Sequence, residues 1–279
     1  ALPGQVDSIL KVVNATFSVF DSTSLLSRFN AGEKITLNQD FIKVFQESYL
    51  VSQATNGAFD CTIQPLTELW GFGRKNQKQI VPQSEIDSVK KFIGYQLITL
   101  NNNQLEKKEP RVQLNFNAIA KGYAVDKIAA FIEHLGYQNF IVEVGGEVVS
   151  KGQKNGEDWI IGIQVPTETA DGADESNYTF ALKNRAVATS GNYRNYFEKN
   201  GVRYTHILNP TTGRPEQTNV LSVSVIADNC MTADAYATAF MVLGLEKSME
   251  IVKKTPNLAV YFIYDDHGKY KTTKSPNFP

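Results

Sequence analysis

The chain has 279 residues, 42% of them apolar and 20% charged, enough to bury a substantial core. Its 28 basic residues against 29 acidic ones leave a formal net charge of -1, which excludes a global field for nucleic acid or an anionic membrane, so any bound anion must be held locally. Cys61 and Cys230 are too few for a disulfide framework, permit one bridge and require none, and no apolar run reaches the roughly 18 residues of a membrane span.

Apolar positions from Val6 to Phe20 follow a helical period, and Asp21-Ser22-Thr23-Ser24 breaks it. A second helical pattern runs from Asp40 to Thr55 and stops at Asn56-Gly57, where glycine supplies a left-handed conformation. Pro82 opens a short helix up to about Ile93. Strands are expected at Gln96–Leu100 and Arg111–Phe116, with Asn101-Asn102-Asn103 as a turn. The clearest helix spans Asn117–Leu135 and closes at Gly136.

Phe140–Val149 and Trp159–Val165 alternate as strands, and Gly145-Gly146 suggests a bulge or a close backbone approach inside the first. Thr167–Asn177 reads as an acidic surface loop. Further strands are expected at Thr179–Leu182, Ala186–Thr189, Tyr204–Leu208 and Leu221–Ala227. Helices follow at Thr232–Leu243 and Leu245–Lys254, and a strand at Ala259–Tyr264 ends the series. Strands and helices cluster instead of alternating, which predicts an α+β fold with a largely antiparallel sheet and no internal repeat.

Four short polar signatures stand at the junctions of these elements. Asp234 and Thr238 are four apart on a predicted helix, so a carboxylate and a hydroxyl share one face, a donor pair suited to Mg²⁺ or equally to capping and packing. Asn115 to Gly122 leads into a helix N-terminus, where free N–H groups favour phosphate and Lys121 adds a charge; the plainer reading makes Asn115 or Asn117 an N-cap. His206, expected mid-strand, is the histidine candidate for acid/base work or equally a satisfied structural histidine, while His134 and His267 fall at a helix tail and in a turn. Gly57-Ala58-Phe59-Asp60 offers a turn and a carboxylate, and Phe20 an aromatic face.

In this order the signatures resemble the FAD:protein FMN transferases, the ApbE-type flavin transferases. The resemblance takes in Ser18-Val19-Phe20-Asp21, Gly57-Ala58-Phe59-Asp60-Cys61-Thr62, Leu69-Trp70-Gly71-Phe72-Gly73 and Ala118-Ile119-Ala120-Lys121-Gly122-Tyr123. It continues through Val144-Gly145-Gly146, Thr189-Ser190-Gly191-Asn192-Tyr193, the His206 segment and Ala233-Asp234 with Thr238. It implies a T-fold-like domain over residues 1–279, built of two intertwined subdomains with FAD between two halves. It further implies Mg²⁺ on Asp234, Thr238 and the Ala118 carbonyl. Phe20, Ala58, Phe59, Asp60, Asn115, Lys121 and Leu208 would contact FAD, beside His206.

The implied reaction moves FMN from FAD to a threonine or serine hydroxyl of a partner flavoprotein, an electron-transport subunit carrying Asp-x-x-Ser/Thr-Gly-Ala/Ser/Thr-Ser/Thr, and releases AMP. An FAD pyrophosphatase giving FMN and AMP, or a non-catalytic FAD-binding protein, are the alternatives. Asn115 and Lys121 depart from the aspartate and acidic residues found in many members, and the family's opening Met-Gly-Thr strand is not in the sequence, so one FAD contact and a sheet edge are expected from outside it. The resemblance also implies an exported, processed protein at the periplasmic face of the inner membrane, lipid-anchored as a precursor.

Overall fold

The computed structural model describes residues 2–74, 77–164, 177–192, 196–199 and 202–279. The first half is largely helical: α1 (Leu2–Phe17), α2 (Leu25–Asn30), α3 (Gln39–Ala54), α4 (Gln64–Leu69) and α5 (Gln83–Lys90), then a hairpin of β1 (Ile98–Asn101) and β2 (Gln104–Lys107). After α6 (Ala120–His134) come β3 (Phe140–Val144), β4 (Glu147–Lys151), β5 (Trp159–Gln164), β6 (Asn177–Leu182) and β7 (Ala186–Gly191). Small hairpins of β8 (Tyr196–Lys199) with β9 (Val202–Thr205), and of β10 (Leu208–Asn209) with β11 (Arg214–Pro215), lead to β12 (Val220–Ala227). The chain continues through α7 (Cys230–Lys254), β13 (Ala259–Asp266) and β14 (Lys269–Lys274).

Six strands form one sheet in the order β14-β13-β12-β7-β4-β3, antiparallel at every pairing. Strand side chains alternate between faces, and both faces are covered. Val223, Val225, Val260 and Phe262 point to the helices and join the main core with α1, α3, α6 and α7. Val187, Ile226, Tyr261 and Ile263 point the other way, into a second core made with the β5–β6 ribbon and Phe278. A satellite core around Leu66, Trp70, Ile86 and Leu208 sits under α4 and α5, fastened by Trp70 Nε1 donating to the Gly213 carbonyl at 2.8 Å. The layers are those of an α+β fold.

Local sequence explains the boundaries near the cavity. Asn38 caps α3 by accepting from Phe41 N at 2.8 Å, and Asn56 and Gly57, at φ 50° and 80°, terminate it as expected. Helix α7 is capped twice: Asn229 accepts from Thr232 N at 2.8 Å, while Asp126 on α6 accepts from Cys230 N at 2.7 Å and Met231 N at 2.8 Å. Gly244, at φ 74° and ψ 179°, breaks α7 between the two helices expected from the sequence.

Several expectations are corrected. Gly145-Gly146 is no bulge but the two-residue turn of the β3–β4 hairpin, because Val144 pairs with Glu147 and both glycines have positive φ. Arg111–Phe116 is not a strand; it makes only a single bridge from Gln113 to Ile63, and Asn115 N donates to the Cys61 carbonyl at 2.7 Å. His206 is not mid-strand: it lies exposed between β9 and β10. Neither Asn115 nor Asn117 caps α6, whose N-cap position is Ile119; Asn115 Oδ1 instead accepts from Asn117 N at 2.8 Å in a local turn. Helix α1 stops at Phe17, which leaves Phe20 outside it, and β14 follows the strand expected to end the series. The Thr167–Asn177 loop falls almost entirely outside the described residues. Cys61 and Cys230 are both buried and free. Among the described residues no helix is long and apolar enough to cross a membrane.

Candidate active site

A cavity of about 850 Å³ opens between the α3–α4 region, the N-terminus of α6, the β3–β4 turn, the end of β7 and the β9–β10 segment. This is within the roughly 300–1,000 Å³ typical of small-molecule sites. All eleven residues singled out from the sequence line it: Phe20, Ala58, Phe59, Asp60, Asn115, Ala118, Lys121, His206, Leu208, Asp234 and Thr238.

The deepest part is built by α7 against α6 and β7. Asp234 and Thr238 share a helix face, as their spacing predicts, and Thr238 Oγ1 lies 3.1 Å from Ser190 Oγ on β7. Asp234 Oδ2 accepts from Gly122 N at 3.0 Å. Gly122 is the third residue of α6, so its N–H has no partner within the helix and Asp234 supplies one; Ala118 O, which precedes the N-cap Ile119, receives no backbone N–H among the described residues. Burial first, and then the negative charge of Glu147, raise the Asp234 carboxyl above its ordinary value against the pull of Lys121 and Gly122 N–H.

Lys121, the second residue of α6, donates to Glu147 Oε1 at the start of β4. Burial pulls its ammonium down, but the charges of Asp234 and Glu147 outweigh it and hold the lysine above its usual range. Glu147 is raised, chiefly by burial.

The opposite wall is organised by Asp60, which accepts from Thr62 Oγ1 at 2.6 Å, Thr62 N at 2.8 Å and Tyr95 N at 2.8 Å. Burial nonetheless raises its carboxyl above the ordinary value. This network fixes the Ala58-Phe59-Asp60 turn, whose residues are all buried at the cavity edge. Asn115 Nδ2 donates to Gln64 Oε1 at 2.6 Å and ties the approach to α6 onto α4. Phe20 is 61% exposed and lines the cavity. Leu208 is buried in the satellite core beside exposed His206.

Sequence reasoning missed three contributors. Glu147 is buried in a strand position otherwise filled by valine, and the charged residue directly after Gly-Gly was the available signal. Ser190 stood in a quoted signature without a role. The β5 residues Gly162, Ile163 and Gln164 also line the cavity, and nothing local marked them.

Comparison with known proteins agrees with this geometry. A model of the ApbE family matches residues 2–262. A relative from Haemophilus influenzae, named FAD:protein FMN transferase, is 39% identical over 98% of this chain and 81% of its own length; one of the same name from Vibrio cholerae is 36% identical over 99% and 83%. Among solved structures, the flavin transferase ApbE from Vibrio cholerae superposes with a TM-score of 0.89 at 34% identity, covering 99% of this chain and 89% of that one. The apo form of Pseudomonas stutzeri flavinyl transferase ApbE gives 0.89 and 34%, covering 99% and 86%. With the fold matched along almost its whole length, the chain belongs to the ApbE family.

Proposed function

We propose that the chain is an FAD:protein FMN transferase that uses Mg²⁺, transfers FMN to a hydroxyl of a partner flavoprotein and releases AMP. The observation that carries this reading is the convergence of a hard-donor cluster, an exposed aromatic ring and a histidine on one cavity large enough for a dinucleotide. The relatives' names give the reaction class.

The residues present fit a divalent cation. Two buried carboxyls, Asp234 and Glu147, face the single, half-exposed ammonium of Lys121, and burial raises both, a balance that a divalent cation would reverse; the Ala118 carbonyl lacks a backbone donor, and Glu147 Oε2 is buried with no hydrogen-bond partner. Asp234, Thr238 and Ala118 O supply the oxygen donors Mg²⁺ prefers. When bound, the ion supplies charge neutralisation for the pyrophosphate oxygens and the departing AMP.

The chain's own residues supply position. Phe20 offers the flavin ring an exposed aromatic face, and the Ala58–Asp60 turn and Leu208 form walls around the dinucleotide. In the transfer, the acceptor oxygen forms a bond to the FMN phosphorus as the bond from that phosphorus to the bridging oxygen breaks. The electron pair leaves with AMP. His206, exposed at the mouth, accepts the hydroxyl proton. The products are the FMN phosphoester, AMP and one proton, so the step balances without a redox partner. The acceptor is an electron-transport subunit carrying the Asp-x-x-Ser/Thr-Gly-Ala/Ser/Thr-Ser/Thr motif, met at the periplasmic face of the inner membrane by an exported, lipid-anchored enzyme.

The test is flavin fluorescence of a motif-bearing acceptor on a denaturing gel after incubation with the protein, FAD and Mg²⁺, with an EDTA control. Labelling that EDTA abolishes supports the proposal. Free FMN and AMP without labelling would make the chain an FAD pyrophosphatase, and unchanged FAD a binding protein.

A further inference from the structure

Glu147 opens β4 directly after the Gly145-Gly146 turn, and 1% of its side chain is exposed. Its Oε1 accepts from Lys121 Nζ and its Oε2 has no partner. A buried carboxylate oxygen left unpaired costs about 1–3 kcal/mol, so an apolar residue at this inward position would serve stability better. Glu147 is therefore kept at a cost to the fold.

Lys121 faces two acids. Asp234 and Glu147 both act on its ammonium, yet among the described residues its ion pair is with Glu147, and the hydrogen bond to Asp234 comes from Gly122 N–H. The Lys121 side chain is half exposed, and its flexible stem has room to turn. With Glu147 gone, the acid that remains beside the ammonium is Asp234.

We propose that Glu147 is a positioning residue that captures the Lys121 ammonium and so leaves the Asp234 carboxylate open to a divalent cation. This rests on the reading of the cavity as a Mg²⁺ site. Within the Lys121–Glu147–Asp234 trio, two acids against one base leave one negative charge for the cation, a balance to which Glu143 and Asp60, which also line the cavity, and Asp126, whose charge acts on Asp234, add in every variant alike. Removing Glu147 cancels that charge and lets the lysine occupy the carboxylate; removing Lys121 as well restores it.

The experiment is titration of Mn²⁺, followed by electron paramagnetic resonance of the free ion, into the protein without FAD or acceptor. The set is wild type, Glu147→Leu, Lys121→Met and the double variant, each checked by thermal melting. Loss of one neighbouring charge should weaken Mn²⁺ binding in Glu147→Leu about 10-fold or more, while the double variant returns to within about 3-fold of wild type. Lys121→Met alone should bind at least as tightly as wild type, and it keeps the inference testable if Glu147→Leu fails to fold. Wild-type affinity in Glu147→Leu, a loss that the double variant does not recover, or weakened binding in Lys121→Met would overturn this inference alone. Absence of Mn²⁺ binding in the wild type would overturn the metal reading and this inference with it.

Discussion

The backbone N–H of Gly122 donates to Asp234 Oδ2 at 3.0 Å across the crossing of α6 and α7. The crossing is close enough that a Cβ built on Gly122 would stand 2.3 Å from the Cys230 carbonyl oxygen and 2.8 Å from Met231 Cα. The same glycine thus sets the helix separation and orients the deepest carboxylate of the cavity.

Gly122→Ala should therefore cost about 3 kcal/mol or more, because the atoms it meets are backbone and cannot rotate away. In a protein of this size that corresponds to a melting temperature lower by on the order of 10 °C. Thermal unfolding followed by circular dichroism measures it. A variant with wild-type stability and activity would show that the two helices separate at little cost.

Asp234→Asn tests the division between fold and chemistry. Asparagine keeps an oxygen to accept from Gly122 N–H and removes a charge that burial and Glu147 disfavour, so the melting temperature should stay level or rise. Transferase activity should fall by at least about 100-fold, since the charge is what a cation or a phosphoryl transition state would use. Parallel loss of stability and activity would return Asp234 to a purely structural role.

The sequence disclosed these residues better than it disclosed the paths that bring them together. Asp234 and Thr238 were legible because a helical period fixes which side chains share a face, and Gly244 was legible as the break between two helices. Glu147 was not, because a strand read straight through Gly145-Gly146 leaves the face of Glu147 unset until the Val144–Glu147 pairing turns it inward. The stretch Arg111–Phe116 has the composition of a strand but meets Ile63 at one point only; its other backbone bonds run to the side chain of Asn30, the carbonyl of Cys61 and local turn partners such as Glu109 and Ala120. Strand β14 is polar and mostly exposed, so no alternation announced it; the Asp265-Asp266-His267-Gly268 turn, with positive φ at His267 and Gly268, was its local signal. Pairing between segments, and not composition within one, decided each of these cases.

A link between α3 and α6 makes the fold sensitive to acid. Asp40 accepts from Tyr123 Oη at 2.6 Å and pairs with Lys127. Burial works to raise its carboxyl, but the hydrogen bonds from Lys127 and Tyr123 together outweigh it and hold the group below the ordinary value. A carboxyl lowered on folding contributes stability above its unfolded value and loses it as pH falls through the folded one. Asp40→Asn should thus cost about 1–2 kcal/mol at pH 7, with the difference from wild type closing as pH falls below about 4. Urea midpoints of both proteins at pH 7, 5 and 3 measure the gap; a gap independent of pH would sever the charge from the effect.

Phe20 separates binding from folding more cleanly than any buried residue. Its ring is 61% exposed, belongs to none of the three cores and lines the cavity mouth beyond the end of α1. Replacing it by alanine removes little that the fold uses, so the melting temperature should stay within about 2 °C of wild type, as for surface substitutions generally. Stacking of an aromatic side chain on a flat heterocycle is worth about 1–3 kcal/mol, and loss of its lower half corresponds to KM for FAD rising about 10-fold. The effect should fall on KM with kcat largely retained if the ring meets the flavin end of the substrate, as proposed, and not the phosphorus under attack. Initial rates of acceptor labelling across a range of FAD concentrations give both constants. An unchanged KM would move the flavin ring elsewhere in the cavity, where Phe59, Phe72 and the β5 residues Gly162 to Gln164 are among the other walls.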